Sequence, residues 1–169
     1  LLVCLDDPQK QFNTIIVGGT NGKGTIASAL AALLCDAGYQ VGLYSSPHLH
    51  TPRERIQVNG LLLGKDDWAR GLQQLYEKSR DFGHKGLGGF TRYEALTGLA
   101  ALLFSDKKVE FAIFEVGLGG RFDAANAWDA VMAILGPIAL DHMDVLGDDL
   151  VGIAADKIQI ARPHCPLLT

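Results

Sequence analysis

The first fifty residues alternate between apolar runs and a glycine-rich segment. Residues 13–17 form a β-branched run that leads into the glycine-rich segment 18–25, and residues 27–37 are rich in Ala and Leu and precede a glycine. This order predicts a strand, a loop and a helix. An apolar run over 40–44 predicts a second strand. Because parallel strands need a right-handed helical crossover, the segment predicts a βαβ unit.

The pattern then changes to shorter elements. Residues 55–63 carry an Asn-Gly pair between two apolar arms, which is a typical signal of a β-hairpin. A helical spacing of apolar residues begins after two acidic residues at 66–67, where the helix dipole favours negative charge. We expect this helix to end near Gly83. The four glycines of 83–89 predict a mobile loop.

The remaining apolar segments complete an alternating order of helices and strands. A compact apolar helix is predicted from about 91 to 104, and continuous apolar runs at 109–114 and 130–135 are typical of buried strands. Strands that alternate with helices indicate a parallel sheet whose functional loops lie at its carboxyl edge. The sequence therefore predicts an α/β fold with a P-loop-type, mostly parallel sheet flanked by helices.

Composition narrows the class of protein. The 169 residues are 48% hydrophobic and 20% charged, which is enough for one domain with a sizeable core. The 15 basic and 19 acidic residues give a net charge of −4, and no basic cluster is suited to nucleic acid or an anionic membrane surface. We expect no nucleic-acid partner and no membrane association.

Two features of the sequence indicate the cellular compartment: the cysteines and the length of the apolar stretches. Cys4, Cys35 and Cys165 lack the short spacings of zinc or redox motifs, so we expect a reducing, cytoplasmic compartment. The apolar stretches 27–35 and 99–104 are far shorter than the roughly 20 residues that span a bilayer. The chain opens at a Leu rather than a Met and stops where a strand begins, which leads us to expect a fragment.

The glycine-rich segment carries the strongest chemical signal. Backbone amides of such a loop, at the start of a helix, surround phosphate oxygens. Glycine-rich turns also occur after strands for purely structural reasons, but a central lysine inside a βαβ unit favours a phosphate loop. Lys23 would reach the β- and γ-phosphates, and Thr25 would meet Mg²⁺, although Gly24 stands between them and departs from the usual Gly-Lys-Ser/Thr order. The predicted nucleotide-binding residues are Gly19, Thr20, Asn21, Gly22, Lys23, Gly24 and Thr25.

Three further residues are candidates, and the first two have both a functional and a structural interpretation. Glu115 ends a predicted strand where a metal ligand belongs, or it is a solvated strand-end carboxylate. His142 follows the next strand and either binds a metal or caps a loop. Lys157 lies on a predicted helix, where lysines are usually solvated, and its local chemistry indicates nothing else.

The segment after the second strand has the same ambiguity. Pro47 breaks the strand and leaves the hydroxyls of Ser45 and Ser46 beside the predicted phosphate site, where either hydroxyl caps the loop or binds metal. Arg53 and Arg55 flank a glutamate, and we interpret this cluster as a surface ion-pair network.

Five motifs in a fixed order resemble one family. They are Gly-Thr-Asn-Gly-Lys-Gly-Thr (19–25), Tyr-Ser-Ser-Pro-His (44–48), Glu-Arg-Ile (54–56), Glu-Val-Gly-Leu-Gly-Gly-Arg-Phe-Asp (115–123) and Ile-Ala-Leu-Asp-His (138–142). Their order resembles the folylpolyglutamate synthase and dihydrofolate synthase family, within the Mur ligase superfamily. The glycine after the lysine distinguishes the chain from the Mur peptidoglycan ligases.

The resemblance implies an ATP-dependent ligase of folate metabolism. Such an enzyme phosphorylates the carboxylate of dihydropteroate or a reduced folate, and the amine of L-glutamate attacks the resulting acyl phosphate. The implied catalytic residues are Lys23, His142 and Lys157. Two Mg²⁺ ions are implied, with Thr25, Ser46 and Glu115 around the first, and with His142 and a carbamylated Lys157 around the second.

The resemblance also implies a pterin site and a larger protein. The implied substrate-binding residues are Thr91, Arg92, Tyr93, Glu94, Asp123, Ala124 and Ala125. The chain departs from the family at Ala125, at 136–137 and at 156–160. Residues 1–169 would form a partial, Mur-ligase-like central ATP-binding domain that lacks the C-terminal glutamate-binding domain. We expect such a monomeric fragment to bind Mg-ATP weakly and to turn over little or not at all.

Two other functions remain open from the residues alone. One is a Mur-type ligase for a peptidoglycan precursor, which the glycine after the loop lysine disfavours. The other is a non-catalytic nucleotide-binding paralogue. The simultaneous presence of Lys23, Glu115, His142 and Lys157 argues against the paralogue, because a non-catalytic copy does not need all four.

Overall fold

A computed structural model describes residues 1–80 and 89–169. Within them, one sheet has the strand order β4-β3-β2-β5-β1-β6-β7. Pairing is antiparallel for β2 with β3 and for β3 with β4, and parallel for the other neighbours. The strands are β1 Asn13–Gly18, β2 Val41–Tyr44, β3 Ile56–Val58, β4 Leu61–Leu62, β5 Phe111–Glu115, β6 Met132–Leu135 and β7 Leu167–Leu168.

The helices follow the predicted alternation. They are α1 Lys23–Asp36, α2 Lys65–Ser79, α3 Arg92–Asp106, α4 Met143–Leu146 and α5 Leu150–Lys157. The α/β class and the mostly parallel sheet are confirmed, as are the predicted hairpin and the helices predicted to begin after 66–67 and at about 91. The predicted helix end near Gly83 and residues 83–88 of the predicted loop lie outside the described residues. None of the helices that the structure describes is long and apolar enough to span a bilayer.

The sheet is covered on both faces, which explains its continuous apolar strands. On β1, Ile15 and Val17 pack with Ala27 and Ala31 of α1, whereas Ile16 belongs to the larger cluster on the other face. This alternation follows from the two-residue period of a strand. The larger cluster contains most of the buried side of α3 and the aromatic side chains of Tyr44, Phe104, Phe114 and Trp128.

The topology brings the candidate residues to one edge. Each neighbouring pair among β1, β2, β5 and β6 is parallel, so the carboxyl ends of these four strands lie at the same edge of the sheet. The glycine-rich loop follows β1, residues 45–55 follow β2, Glu115 ends β5, and the segment leading to His142 follows β6. Loops at the carboxyl edge of a parallel sheet are where ligands bind in such folds.

Candidate nucleotide and substrate site

The loop between β1 and α1 has the geometry of an anion cradle. Gly19 has a φ of +128°, and a Cβ there would lie 3.1 Å from the backbone of Gly136, so both the conformation and the space require glycine. No side chain caps the first turn of α1. Its amino-terminal N–H groups are therefore available to an anion, which is the arrangement that phosphate-binding helix starts use.

The same loop is anchored to the segment after β6. The Thr20 N–H donates to the Pro137 carbonyl at 2.8 Å. The Thr20 hydroxyl lies 3.1 Å from both the carbonyl oxygen and the amide nitrogen of Ala139. The departure from the family at 136–137 therefore lies directly against the loop. Both the N–H and the hydroxyl of Thr20 are therefore engaged within the protein and brace the loop rather than donate to a phosphate.

Two lysines converge on this loop. The Lys23 ammonium donates to the Gly19 carbonyl at 3.0 Å and to the Thr20 carbonyl at 3.1 Å. The Lys157 ammonium also lies 3.4 Å from the Gly19 carbonyl. Lys157 is only 2% exposed, so its interpretation as a solvated helix lysine is wrong. Burial lowers the pKa of Lys157 and the charge of Lys23 lowers it further, while the carboxylates of Asp141 and Asp156 act in the opposite direction.

Glu115 is also buried, at 5% exposure, which excludes the solvated strand-end interpretation. Its carboxylate accepts the Ser46 N–H at 3.0 Å. Burial raises the pKa of this carboxyl group, and the Ser46 hydrogen bond and the positive charge of Lys23 oppose the rise. A Cβ on Gly24 would lie 3.6 Å from both carboxylate oxygens, so the first turn of α1 rests directly on Glu115.

The remaining predicted metal ligands, Thr25 and His142, have exposed side chains. Thr25 is exposed on the first turn of α1. His142 is half-exposed, precedes α4, and has its Nε2 atom 3.6 Å from a carboxylate oxygen of Asp141. Among the described residues, no group of three or more His, Cys, Asp or Glu side chains gathers around a common point. The structure thus brings Ser46 and Glu115 together, while His142 stands on a separate loop.

A cleft of about 730 Å³ opens beside these residues. Its lining includes Ser46, Arg55, Thr91, Tyr93, Glu94, Phe122, Asp123, Ala124 and Asp156. Arg92 is exposed outside this lining, and Ala125 is fully buried below it. Five of the seven residues implied to bind a pterin therefore line the cleft. A second cavity of about 340 Å³ shares Glu94 and Ala124 with it.

Asp123 organises the floor of the cleft. Its carboxylate accepts the N–H groups of Gly117 and Leu118, both at 3.0 Å, and that of Ala125 at 2.8 Å. Burial nevertheless raises the pKa of Asp123. The Tyr93 hydroxyl lies 3.3 Å from the Glu115 carbonyl and 3.4 Å from the Asp123 carboxylate. Burial raises the pKa of Tyr93 as well, so this hydroxyl remains a proton donor.

Glu94 has a structural role in addition to its place in the cleft. Thr91 and Glu94 form a capping box at the start of α3. The Glu94 carboxylate accepts the Thr91 N–H at 2.6 Å, and the Glu94 N–H donates to the Thr91 hydroxyl at 3.2 Å. These hydrogen bonds with Thr91 lower the pKa of Glu94.

The segment 45–55 does not form the predicted ion-pair network. Arg53 donates twice to the Leu63 carbonyl, at 3.1 and 2.6 Å. Glu54 accepts backbone N–H groups from residues 49–51, at 2.7 to 2.9 Å, which hold its pKa below the usual value. Arg55 donates to Nδ1 of His48 at 2.9 Å and lines the cleft. The sequence shows which residues of this segment are charged. It does not show which backbone groups they contact, because those contacts depend on how the chain folds back.

Two functional features were missed by sequence reasoning. A Cβ on Gly120 would lie 2.7 Å from the carbonyl oxygens of Asp156 and Lys157, so this glycine lets α5 approach the site. The glycine run after β5 was the available signal. Arg55 belongs to the Glu-Arg-Ile motif (54–56), but nothing in the charge pattern around it indicated that it lines the cleft.

The fold and the candidate site define an α/β protein whose glycine-rich loop between β1 and α1 has the arrangement of a phosphate-binding loop. No family model matches the chain. It is 36% identical over 170 residues to the dihydrofolate synthase/folylpolyglutamate synthase of Bacillus subtilis, an alignment that covers 100% of this chain and 40% of the relative. It is also 36% identical to the folylpolyglutamate synthase of Arabidopsis thaliana over 169 residues, covering 98% of this chain and 27% of that one.

Solved structures give the same result. The chain matches an FPGS–AMPPCP–folate complex with a TM-score of 0.93 and 34% identity, covering 98% of this chain and 41% of that one. It matches Mycobacterium tuberculosis folylpolyglutamate synthase complexed with ADP with a TM-score of 0.88 and 34% identity, covering 95% and 36%. The chain belongs to the folylpolyglutamate synthase/dihydrofolate synthase family, and it spans about two fifths of the length of these relatives or less.

Proposed function

We propose that the protein is an ATP-dependent ligase that adds L-glutamate to dihydropteroate or a reduced folate through an acyl phosphate. One observation carries the proposal: Lys23 of the glycine loop, buried Glu115 and the 730 Å³ cleft adjoin at one sheet edge. Related structures support the ligand classes, since one is a complex with AMPPCP and folate and another is a complex with DHPP and ADP.

The glycine loop would hold the phosphates of ATP. The N–H groups at the start of α1 bind phosphate oxygens, and Lys23 exchanges the carbonyls of Gly19 and Thr20 for the β- and γ-phosphates. This placement lets Lys23 stabilise the negative charge on the phosphoryl group that is transferred.

The residues present fit magnesium, which prefers oxygen ligands. Thr25 and Ser46 supply hydroxyls and Glu115 supplies a buried carboxylate for a first ion. His142 and a carbamylated Lys157 would hold a second. The lowered pKa of Lys157 supports this modification, because the neutral amine is the form that attacks CO₂ and loses a proton to give a carbamate. Bound Mg²⁺ would neutralise charge on the phosphates during transfer.

The substrate would lie in the cleft with its carboxylate toward Ser46 and its pterin ring toward Asp123. The carboxylate oxygen attacks the γ-phosphorus, the bond to the β–γ bridging oxygen breaks, and ADP leaves. The glutamate amine then attacks the acyl carbon, loses a proton and displaces phosphate. Asp123, Glu94 and Tyr93 orient the ring in this proposal, and Thr91 and Ala124 complete the lining. Ala125 contributes through its N–H, which holds the Asp123 carboxylate, and Arg92 begins α3 outside the lining.

Residues 1–169 would be the nucleotide-binding part of that ligase, with the glutamate-binding domain outside them. We expect the ligase to be a cytoplasmic monomer. All three cysteines are free, in keeping with a reducing compartment.

The test is phosphate release by the full-length protein that contains this sequence, with ATP, Mg²⁺ and L-glutamate. Dihydropteroate and tetrahydrofolate are compared, and Lys23→Ala is the inactive control. Release with dihydropteroate establishes dihydrofolate synthase activity, and release with tetrahydrofolate alone limits the enzyme to chain elongation. Release with neither, despite nucleotide binding, contradicts the proposal and favours a Mur-type ligase or a non-catalytic nucleotide-binding protein.

A further inference from the structure

The charges around the cleft are unequally distributed. Three carboxylates line it, those of Glu94, Asp123 and Asp156, and in the part of the chain that the structure describes Arg55 is the one cationic lining residue. An anionic ligand that enters such a cleft is repelled by the carboxylates unless a cation compensates its charge. Lys23 does not supply this compensation, because it lies outside the lining and is bonded to loop carbonyls.

Arg55 is held in position from both ends. Its carbonyl accepts the Ser45 N–H at 3.0 Å, which fixes the backbone beside the end of β2. Its Nε donates to Nδ1 of His48 at 2.9 Å, which fixes the plane of the guanidinium group. His48 therefore acts as a positioning residue and accepts this bond through an unprotonated Nδ1.

The guanidinium group has no competing carboxylate. Within residues 1–80 and 89–169, no Asp or Glu oxygen lies within 4 Å of it. Arg55 lies beside the buried hydroxyl of Tyr44. Burial raises the pKa of Tyr44, and the positive charge of Arg55 acts in the opposite direction. A half-buried guanidinium with its two terminal nitrogens free of ion pairs is suited to a planar anion, because it can donate two parallel hydrogen bonds.

We propose that Arg55 binds a carboxylate of the pteroyl substrate and thereby sets the direction in which the substrate lies in the cleft. The inference rests on the proposed function and adds a specificity residue to it. In this proposal Arg55 and Ser46 bind the carboxylate, and Asp123 and Glu94 accept hydrogen bonds from the amino groups of the pterin ring. A substrate inserted the other way would place its carboxylate against Asp123 and leave Arg55 without an anion.

Two carboxylates of the substrate class fit this role. Dihydropteroate carries only the carboxylate that reacts, whereas tetrahydrofolate carries the reacting γ-carboxylate and an α-carboxylate of its glutamate. If Arg55 holds the reacting group, its removal weakens both substrates. If it holds the α-carboxylate, only tetrahydrofolate is weakened.

The experiment measures equilibrium binding to the full-length protein in the presence of Mg-ADP and without glutamate. The ligands are dihydropteroate, its carboxamide, tetrahydrofolate and the α-amide of tetrahydrofolate. The proteins are wild type, Arg55→Gln, Arg55→Lys and the control Arg70→Gln, whose arginine lies on α2 and pairs with Asp67. Thermal melting of each variant establishes that it is folded.

We expect wild type and Arg70→Gln to bind one of the acids about 10- to 100-fold more tightly than its amide, which is the usual value of a charge-assisted hydrogen bond. Arg55→Gln should lose that preference, and Arg55→Lys should keep part of it. The acid-to-amide ratio is taken within one variant, so a general loss of stability does not change it. Arg55→Lys provides the test if Arg55→Gln does not fold.

Two results overturn the inference, and they are distinguishable. If Arg55→Gln and Arg55→Lys keep the wild-type ratio for both acids, Arg55 does not bind the carboxylate and the proposed function is unaffected. If wild type binds Mg-ADP but neither dihydropteroate nor tetrahydrofolate, the proposed function fails and the inference fails with it.

Discussion

The ammonium groups of Lys23 and Lys157 share one acceptor, the Gly19 carbonyl oxygen, at 3.0 and 3.4 Å. They come from helices that are far apart in the chain and meet over the phosphate loop. Two positive charges this close, one of them buried, repel each other in a medium that screens them poorly. A nucleotide phosphate that enters between the loop and Lys23 would relieve this repulsion, which couples nucleotide binding to the environment of Lys157.

Lys23→Ala should weaken ADP binding about 10- to 100-fold, because it removes a charge-assisted contact to phosphate. Isothermal titration calorimetry measures the dissociation constant. The matched control is Lys65→Ala, which removes an exposed lysine at the start of α2 and should leave ADP binding unchanged. Equal affinities for Lys23→Ala and wild type would show that the glycine loop does not bind the phosphates.

Glu115→Gln should stabilise the ligand-free protein at neutral pH. Burial raises the pKa of Glu115 above its unfolded value of 4.5, so the folded state binds the proton more tightly. The contribution of Glu115 to the free energy of unfolding therefore falls as the pH rises from 4.5 through the raised pKa. Above the raised pKa the carboxyl group is ionised, and the folded protein bears the whole cost of burying that charge.

The measurement is the melting temperature from pH 4 to pH 8 without metal or nucleotide. The gain for Glu115→Gln should be about 2–4 °C at pH 7.5 and should vanish near pH 4. Gln keeps an oxygen for the Ser46 N–H. Glu77→Gln, on the exposed side of α2, controls for the loss of one charge. A Glu115→Gln effect that is the same at every pH would refute the burial argument.

Gly120→Ala should destabilise the protein by more than about 2 kcal/mol, because the new methyl group meets the backbone of α5 at 2.7 Å. Urea denaturation gives the free energy of unfolding. Gly64→Ala is the control, since a Cβ there would meet only a carboxylate oxygen of Asp67 at an ordinary 3.6 Å. If both variants lose the same small amount of unfolding free energy, the packing of α5 does not require a glycine at position 120.

The 169-residue chain alone should bind ADP and release no phosphate with any pteroyl substrate and glutamate. It contains the glycine loop and the cleft, but it spans about two fifths of its relatives' length. Phosphate release by the chain and by the full-length protein is compared in one assay. Robust ligation by the 169 residues would show that the glutamate site lies within them.

Most of the fold could be predicted from the sequence, because strand and helix periodicities and turn residues are encoded within short stretches of the chain. The run at 13–17, the glycine segment after it and the Asn-Gly hairpin all led to the observed elements. The burial of Lys157 was not predictable in this way. It depends on Gly120, 37 residues earlier, letting α5 approach the sheet edge, and on an acceptor at Gly19.

The candidate site shows the same division. Glu115 was identifiable from its position at the end of an apolar strand, and Ser46 from the proline that follows it. The different contacts of Arg53 and Arg55 could not be predicted from the sequence. The Arg53 guanidinium donates to the Leu63 carbonyl, whereas the Arg55 guanidinium donates to His48. These partners are set by the return of the chain after β2, which charge patterning does not encode.

The central claim is that this site activates a carboxylate by phosphorylation. The most direct measurement uses the full-length protein and a substrate with ¹⁸O in both carboxylate oxygens, followed by mass analysis of the phosphate released with glutamate. We expect one ¹⁸O in each phosphate, because the attacking carboxylate oxygen stays on phosphorus when the amine displaces phosphate from the acyl carbon. Unlabelled phosphate from a protein that forms the amide would contradict the acyl phosphate and the account built on it.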